Sequence, residues 1–181
     1  LLVATGGRPV EWAPGTAVSE HIFRLHTIDD AERLRDFFGK KPKGRAIVVG
    51  GGFIALELVE VFKKKGWEVV FLMRGERLWD GKWEDALDHE RLCDVWRKNG
   101  IDAIFGDSVA DCGRNGDGIA AHTVRGREIG ADCIAVGIGI VPEFLEVPEV
   151  EPPVWITFGG STSGNSGGIR VNEYLETPFP S

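Results

Sequence analysis

The residues best placed to do chemistry are Gly50, Gly51 and Gly52. They follow the apolar run Ala46-Ile47-Val48-Val49, and a helical pattern opens directly after them and runs to about Lys65. Buried strand, glycine turn and helix, in that order, make the opening of a dinucleotide-binding βαβ unit. Gly50 lets the chain turn sharply out of the strand. Gly52 has no Cβ, so a pyrophosphate can come close to the backbone. Ala55 stands at the third small position, where the helix must pack tightly on the strand. The N–H groups of the first helical turn (Phe53, Ile54, Ala55) and the helix dipole favour an anion there. The plainer reading is a tight strand-to-helix turn with no ligand.

The next strand, about Glu68 to Met73, bears on which dinucleotide would bind. An acid at its end would accept hydrogen bonds from a ribose 2′-OH, whereas an Arg would meet a 2′-phosphate. The position holds Met73, and Arg74 follows. The missing acid and the adjacent Arg lean toward NADP. Against that, Arg74-Gly75 reads equally as a plain turn, and Glu76 is near enough to serve NAD, so the choice between NAD and NADP stays open.

The elements that must position these residues are legible on either side. Thr27, with Asp30 three residues on, is expected to cap a helix running to about Phe38. Val69-Val70-Phe71-Leu72 has no alternation, so both faces of its strand should be covered, as in a parallel sheet. A helix over 84–99 and a strand over 101–105 follow. The pattern then changes: short runs at 108–111 and 119–124 flank Arg114-Asn115-Gly116-Asp117-Gly118, a hairpin turn, and 125–128 makes another turn. Asp132 to Val136 returns as a buried strand into Gly137-Ile138-Gly139. Residues 1–5 read as a short strand ended by Gly6-Gly7-Arg8-Pro9, 10–20 as loop, 21–25 as a brief strand, 151–168 as an aperiodic mobile loop or linker, and 167–172 as a last strand. The expected fold class is α/β, a Rossmann-like βαβ parallel sheet with an antiparallel β-hairpin excursion, in three layers.

Composition narrows the classes of partner. Among 181 residues, 28 Asp and Glu against 21 Lys and Arg give a formal net charge of −7. There is no basic field to attract nucleic acid or an anionic membrane. No apolar run approaches the roughly 20 residues that cross a bilayer. Cys93, Cys112 and Cys133 have no CxxC spacing and no nearby His cluster, so they read as ordinary thiols of a reducing, cytoplasmic compartment, with no metal site. His21, His26, His89 and His122 are scattered, with no partner at catalytic spacing. The tryptophans read as packing residues, with adenine stacking by Trp79 or Trp83 as the alternative. The chain starts without Met, its only Met being Met73, and is expected to be a piece of something longer.

Several stretches together resemble the FAD-dependent pyridine nucleotide-disulfide oxidoreductase superfamily. LLVATGGRP at the start is similar to its ATG segment, and GRAIVVGGGFIALELVEVF to its NAD(P)H fingerprint. GADCIAVGIGIVPE resembles its second glycine motif, and GGIRVNEYLETPFPS the segment leading into its last FAD-binding motif. Within it, ferredoxin and rubredoxin reductases, nitrite reductase large subunits, NADH oxidases and monodehydroascorbate reductases look nearest. The resemblance implies a flavoenzyme in which a hydride passes from NAD(P)H to FAD and electrons leave to an acceptor that the residues do not identify. It places Glu57 and Gly137-Ile138-Gly139 near the nicotinamide; as residues alone, Glu57 is a solvated helix carboxylate and the glycine pair a bend. It places Thr5, Gly6 and Arg8 at FAD.

The domain organisation it implies is a remnant of the FAD domain over 1–26, an NAD(P)H-binding domain over 27–146, a flexible linker over 147–166 and a second FAD-domain remnant over 167–181. The missing portion of the FAD domain would then be a partner, and exposed strand edges could pair two copies as a homodimer. A nucleotide-sensing module without chemistry is the competing reading; it would lack the ATGGRP and GGIRVN segments. A classical dehydrogenase is disfavoured because no Tyr-x-x-x-Lys pair is visible, the only Tyr being Tyr174. The 181-residue segment is expected to bind nucleotide without holding FAD firmly and without turnover. Its purified form should be colourless by absorption spectroscopy; a stoichiometric flavin spectrum would overturn the expectation.

Overall fold

The computed structural model describes residues 4–78, 86–143, 156–157, 167–168 and 172–174. They divide into two compact units, Glu11–Gly139 and a smaller one from the two ends, Leu1–Val10 with Ile140–Ser181.

In the smaller unit, β1 (Gly7–Pro9) pairs antiparallel with β10 (Ile140–Pro142), Arg8 lying opposite Val141. The expected strand at 1–5 is therefore displaced: Ala4 and Thr5 are not strand, residues 1–3 lie outside the described residues, and the expected turn at 6–9 is itself mostly strand. Gly6, at φ 73°, makes the break. Gly7 then allows close pairing, since a Cβ there would sit 2.9 Å from the Val141 carbonyl oxygen. Within the stretch read as aperiodic, β11 (Ile156–Thr157) pairs antiparallel with β12 (Gly167–Gly168). So short a pair needs no apolar periodicity, which is why no pattern announced it. The rest of the expected strand over 167–172 falls outside the described residues, except that Asn172 follows without strand structure.

The larger unit is built on a parallel sheet of order β2-β9-β3-β4-β5. Its strands are β2 (Ile22–Phe23), β3 (Arg45–Val49), β4 (Glu68–Met73), β5 (Ile101–Phe105) and β9 (Cys133–Val136). Three helices, α1 (Ile28–Lys40), α2 (Phe53–Lys64) and α3 (Ala86–Lys98), supply one outer layer. The stretch read as loop before β2 contains a 3₁₀ helix, Thr16–His21, whose Val18 is buried in the core.

Thr27 caps α1 as expected. The Asp30 N–H donates to Thr27 Oγ1 at 3.2 Å, and the Thr27 N–H donates to Asp30 Oδ2 at 2.9 Å, a reciprocal capping box. On the helix side of the sheet lie Ala46, Val48, Val69, Phe71, Cys133 and Ala135, packed with Leu34, Leu58, Phe62 and Trp96. Trp67 anchors this side at 1% exposure, its ring 5.4 Å from Phe62 and 5.6 Å from both Phe37 and Phe38. Trp67 and Trp96 are thus packing residues; Trp79 and Trp83 lie outside the described residues.

The opposite face is covered by a second sheet. Ile47, Val49, Val70, Leu72, Ile134 and Val136 pack against Val109, Cys112, Ile119, Ala121 and Ile129. Those come from β6 (Val109–Asn115), β7 (Gly118–Thr123) and β8 (Glu128–Ala131), an antiparallel sheet of order β6-β7-β8. The continuous apolar strands are explained: alternate residues face helices on one side and strands on the other. The β6–β7 strands run further than their apolar patches suggested, to a two-residue turn at Gly116-Asp117 with Gly116 at φ 58°. This sheet replaces the usual crossover helix between parallel β5 and β9.

Asp107 ties the second sheet to the first. It is 3% exposed, its Oδ1 accepts from the Ser108 N–H at 2.8 Å and the Arg125 N–H at 3.1 Å, and Arg127 Nε lies 3.7 Å from its Oδ2. Burial alone would raise its pKa. Hydrogen bonding from the Thr123 side chain and the two N–H groups, with the Arg127 charge, outweighs burial and holds the carboxyl below the ordinary range. The folded carboxyl therefore ionises at lower pH than its unfolded counterpart. Its stabilisation is full above the unfolded value and is lost as pH falls through the folded one. The difference in denaturant midpoint between wild type and Asp107→Asn is expected to be largest at neutral pH and to shrink below about pH 4. A difference that stays constant down to about pH 3 would count against the charge as the source.

Candidate functional site

The ends of β9, β3 and β4 lie side by side, and each hands the chain to a candidate residue: Gly137, Gly50 and Arg74. Between β9 and β3 the strand order reverses direction. Such a switch point, at the carboxyl ends of parallel strands, is where open α/β sheets bind ligands. The ladder continues into the turns, with the Gly50 N–H donating to Leu72 O at 3.0 Å and the Gly137 N–H to Val49 O at 2.8 Å.

The glycines do different jobs. Gly50 has φ 133°, and a Cβ there would collide with the Gly137 carbonyl. A Cβ on Gly137 would lie 2.7 Å from the Ala55 nitrogen and 3.1 Å from its Cβ. Gly50, Gly137 and the fully buried Ala55 thus form one close-packed knot, which explains the small third position. Gly51 is filled from another side, because the Met73 thioether occupies the place of its Cβ. Gly52 differs from all three. Its Cβ position has no atom within 4 Å, its φ is an ordinary −97°, and as N-cap of the 12-residue α2 it offers no side-chain cap. The first turn of a helix leaves N–H groups without intrahelical acceptors, so this open end is suited to an anion. Phe53 beside it is 66% exposed, and Ile54 and Glu57 are also exposed on the same end of α2.

Met73 is buried with its sulfur over Gly51, so it offers no polar group at the end of β4. The Arg74-Gly75-Glu76 segment crosses toward β5, where the Gly106 N–H donates to Gly75 O at 3.0 Å. The Glu76 carboxylate rests over Gly106 and pairs with Arg125, Oε1 to Nη2, at 2.8 Å. Sequence reasoning weighed Glu76 but missed Arg125 and Asp107, and nothing local could have revealed them: Glu76 and Arg125 are 49 positions apart. Gly137, Ile138 and Gly139 run from buried to exposed, with Gly139 at φ 108°.

The other candidates lie elsewhere. Thr5, Gly6 and Arg8 belong to the smaller unit; the Thr5 hydroxyl donates to the Glu143 carbonyl, and the Gly6 carbonyl accepts from the Glu143 N–H at 2.9 Å. An open cleft of about 340 Å³ runs beside β2, lined by Trp12, Ile22, Arg24, Asp30 and Arg33 among others; none of Gly50, Gly51, Gly52, Gly137 and Gly139 lines it. The cysteines have no His cluster beside them, and among the described residues the one close contact is His89 Nε2, which lies 3.7 Å from Cys93 Sγ, one helical turn away. Burial pushes the Cys93 thiol up, so this is no activated thiolate. Among the described residues, no three His, Cys, Asp or Glu side chains converge as metal ligands, and no helix is long and apolar enough to cross a membrane.

Comparison with known proteins places this geometry. A monodehydroascorbate reductase of Solanum lycopersicum is 28% identical over 99% of this chain and 40% of its own length. A mercuric reductase of Staphylococcus aureus is 31% identical over 98% of this chain and 30% of its own. The chain thus spans well under half of these relatives. Among solved structures, the ferredoxin reductase for the CYP199A2 system of Rhodopseudomonas palustris aligns with TM-score 0.67 and 26% identity, covering 77% of this chain and 34% of that one. The reduced CoADR-RHD of Bacillus anthracis aligns with the same score and identity over 76% of this chain and 24% of that one. The family model for the pyridine nucleotide-disulphide oxidoreductases matches residues 1–181, and the chain, with its Rossmann-like α/β fold, belongs to that family of oxidoreductases.

Proposed function

We propose that the larger unit binds NAD(P)H within a flavin-dependent oxidoreductase. Gly52 carries the reading. It is the one glycine of the turn whose missing Cβ is not taken up by the protein's own packing, and it sits at a helix N-terminus without a side-chain cap. A pyrophosphate is the group that fits such an end. Gly50, Gly51 and Ala55 shape the turn, and the first-turn backbone of Phe53 and Ile54 completes the cradle. Met73 and Arg74 lie on the adenosine side, and Glu57, Gly137, Ile138 and Gly139 on the nicotinamide side.

When bound, NAD(P)H supplies a hydride. The chain's own part is to hold the pyrophosphate, to keep the sheet edge open at Gly52 and to orient the ring from the β9 end. Thr5, Gly6 and Arg8 are assigned to FAD, and the organisation is read as pieces at 1–26, 27–146, 147–166 and 167–181, although the compact units divide after Val10 and Gly139, so that residues 11–26, with β2, pack in the larger unit. Electrons pass onward to an acceptor. A cytoplasmic site of action accords with the free thiols of Cys93, Cys112 and Cys133.

Two neighbouring glycines separate ligand from packing. Gly52→Ala has room and an ordinary φ, so it is expected to cost less than about 1 kcal/mol of stability while weakening NAD(P)H binding by about tenfold or more. Gly50→Ala meets the Gly137 carbonyl and is expected to lose about 1–3 kcal/mol. Denaturant melts and fluorescence titration of the two variants check this. A Gly52→Ala protein that binds like wild type would remove the pyrophosphate role.

A further inference from the structure

The open cleft beside β2 lies apart from the glycine turn and has a chemistry of its own. It is built around an edge strand. Trp12, Pro14 and Ser19 stand on one side, from the 3₁₀ helix and the segment leading into it, and Asp30 and Arg33 on the other, from the early turns of α1. Ile22 belongs to β2, and Arg24 follows it directly. β9 separates this edge from β3 and the glycine turn. Ile22 and Phe23 pair with Ile134 and Ala135, so Arg24 comes out at the carboxyl end of the sheet.

The polar groups that line the cleft are mostly donors. Arg24 is partly buried, and among the described residues no carboxylate pairs with it. Arg33 gives one N–H to the Ile22 carbonyl at 3.4 Å, which covers the sheet edge, and its guanidinium lies 5.4 Å from the centre of the Phe23 ring. A guanidinium carries several N–H groups, so others remain for a ligand. The Ser19 hydroxyl and the Trp12 indole N–H add neutral donors. Among the described lining residues the one carboxylate is Asp30, and it is already tied to the start of α1. Its Oδ2 accepts from the His26 N–H at 3.1 Å and the Thr27 N–H at 2.9 Å. Glu20, beside Ser19 in the chain, is paired with Arg114. Two guanidiniums against one carboxylate give these lining residues a charge of +1, on a chain whose formal net charge is −7.

We propose that this cleft is a ligand site separate from the glycine turn, which takes a carboxylic acid carried on a flat apolar body. The body lies against Trp12, Pro14 and Ile22, and the carboxylate meets Arg24 and Arg33. A volume of about 340 Å³ is at the small end for a ligand pocket and suits a compact ring. A guanidinium fork matches the two oxygens of a carboxylate with parallel hydrogen bonds. The single excess positive charge favours a monoanion over a doubly charged phosphate.

The test is titration of the chain with cinnamate, followed by calorimetry and by proton–nitrogen NMR, beside the neutral cinnamamide and the dianionic phenyl phosphate. Wild type is expected to bind cinnamate with a Kd of about 1 mM, as a ligand of that size allows. Cinnamamide should bind about tenfold or more weakly, because it lacks the charge. The shifted signals should gather on the Trp12 indole N–H, Ser19 and Arg24. Arg24→Gln should weaken cinnamate about tenfold or more, and Arg24→Lys less. Arg35→Gln, on α1 outside the cleft, should change it by less than about twofold. Thermal melts show which variants fold, and the shift map is read on wild type, so it decides even where a variant does not. Equal binding of cinnamate and cinnamamide, tighter binding of phenyl phosphate, or a folded Arg24→Gln protein that binds cinnamate like wild type would overturn the proposal. So would shifts that gather on Gly52 to Ile54 instead, or no binding of cinnamate up to about 20 mM.

Discussion

The close approach of Gly50, Gly137 and Ala55 is the constraint on which the rest of the larger unit depends. Two parallel strands end there, and α2 starts there, with backbones nearer than one methyl group allows. A side chain at Gly50 or Gly137 would push the helix off the sheet or the strands apart. Because the approach is so close, the first turn of α2 is held rigidly over the sheet edge. Gly52, just outside the knot, is left facing open space. Packing and binding surface are thus made by successive residues of one turn.

The sheet that carries this knot has no solvated face. The helices cover one side and β6-β7-β8 the other, and alternate residues of β3, β4 and β9 divide between the two cores. Burying both sides stabilises the parallel strands, whose pairing is weaker per residue than antiparallel pairing. It also brings the second sheet within reach of the edge where β4 and β5 end. Asp107 fastens that contact from beneath with hydrogen bonds and charge, and the β7–β8 turn projects Arg125 from above it. A segment that takes the place of a crossover helix therefore also adds charge near the candidate site.

The opposite end of the sheet is held by a different device. Asp132 accepts from the Arg45 N–H at 2.7 Å and pairs with Lys41, and its own N–H donates to the Arg45 carbonyl at 2.8 Å. One residue thus aligns the starts of β9 and β3, and the His21 ring nitrogen meets the Asp132 carbonyl at 2.9 Å. Register set at the start of the two strands carries through to Val49 beside Val136, and so to Gly50 and Gly137. His21, scattered in the sequence, takes a structural place.

The sequence by itself determined the features whose causes are local. The apolar run into Gly50–Gly52, the Thr27–Asp30 capping box, the Gly116-Asp117 turn and the unbroken apolar β4 each follow from a few neighbouring residues, and each stands where the pattern put it. Family membership was legible for the same reason, since its motifs are short and ordered along the chain. Only the tertiary structure decided which glycines serve packing and which stays open, because the atoms that fill the space at Gly50, Gly51 and Gly137 come from Gly137, Met73 and Ala55 in other elements. It alone brought Arg125 to Glu76, Asp107 to the β7–β8 turn and Asp132 to Arg45. Such pairings join positions whose separation along the chain leaves no periodicity to read. The strands at 7–9 and 156–157 were hidden because pairs two or three residues long depend on a partner strand rather than on an apolar pattern of their own.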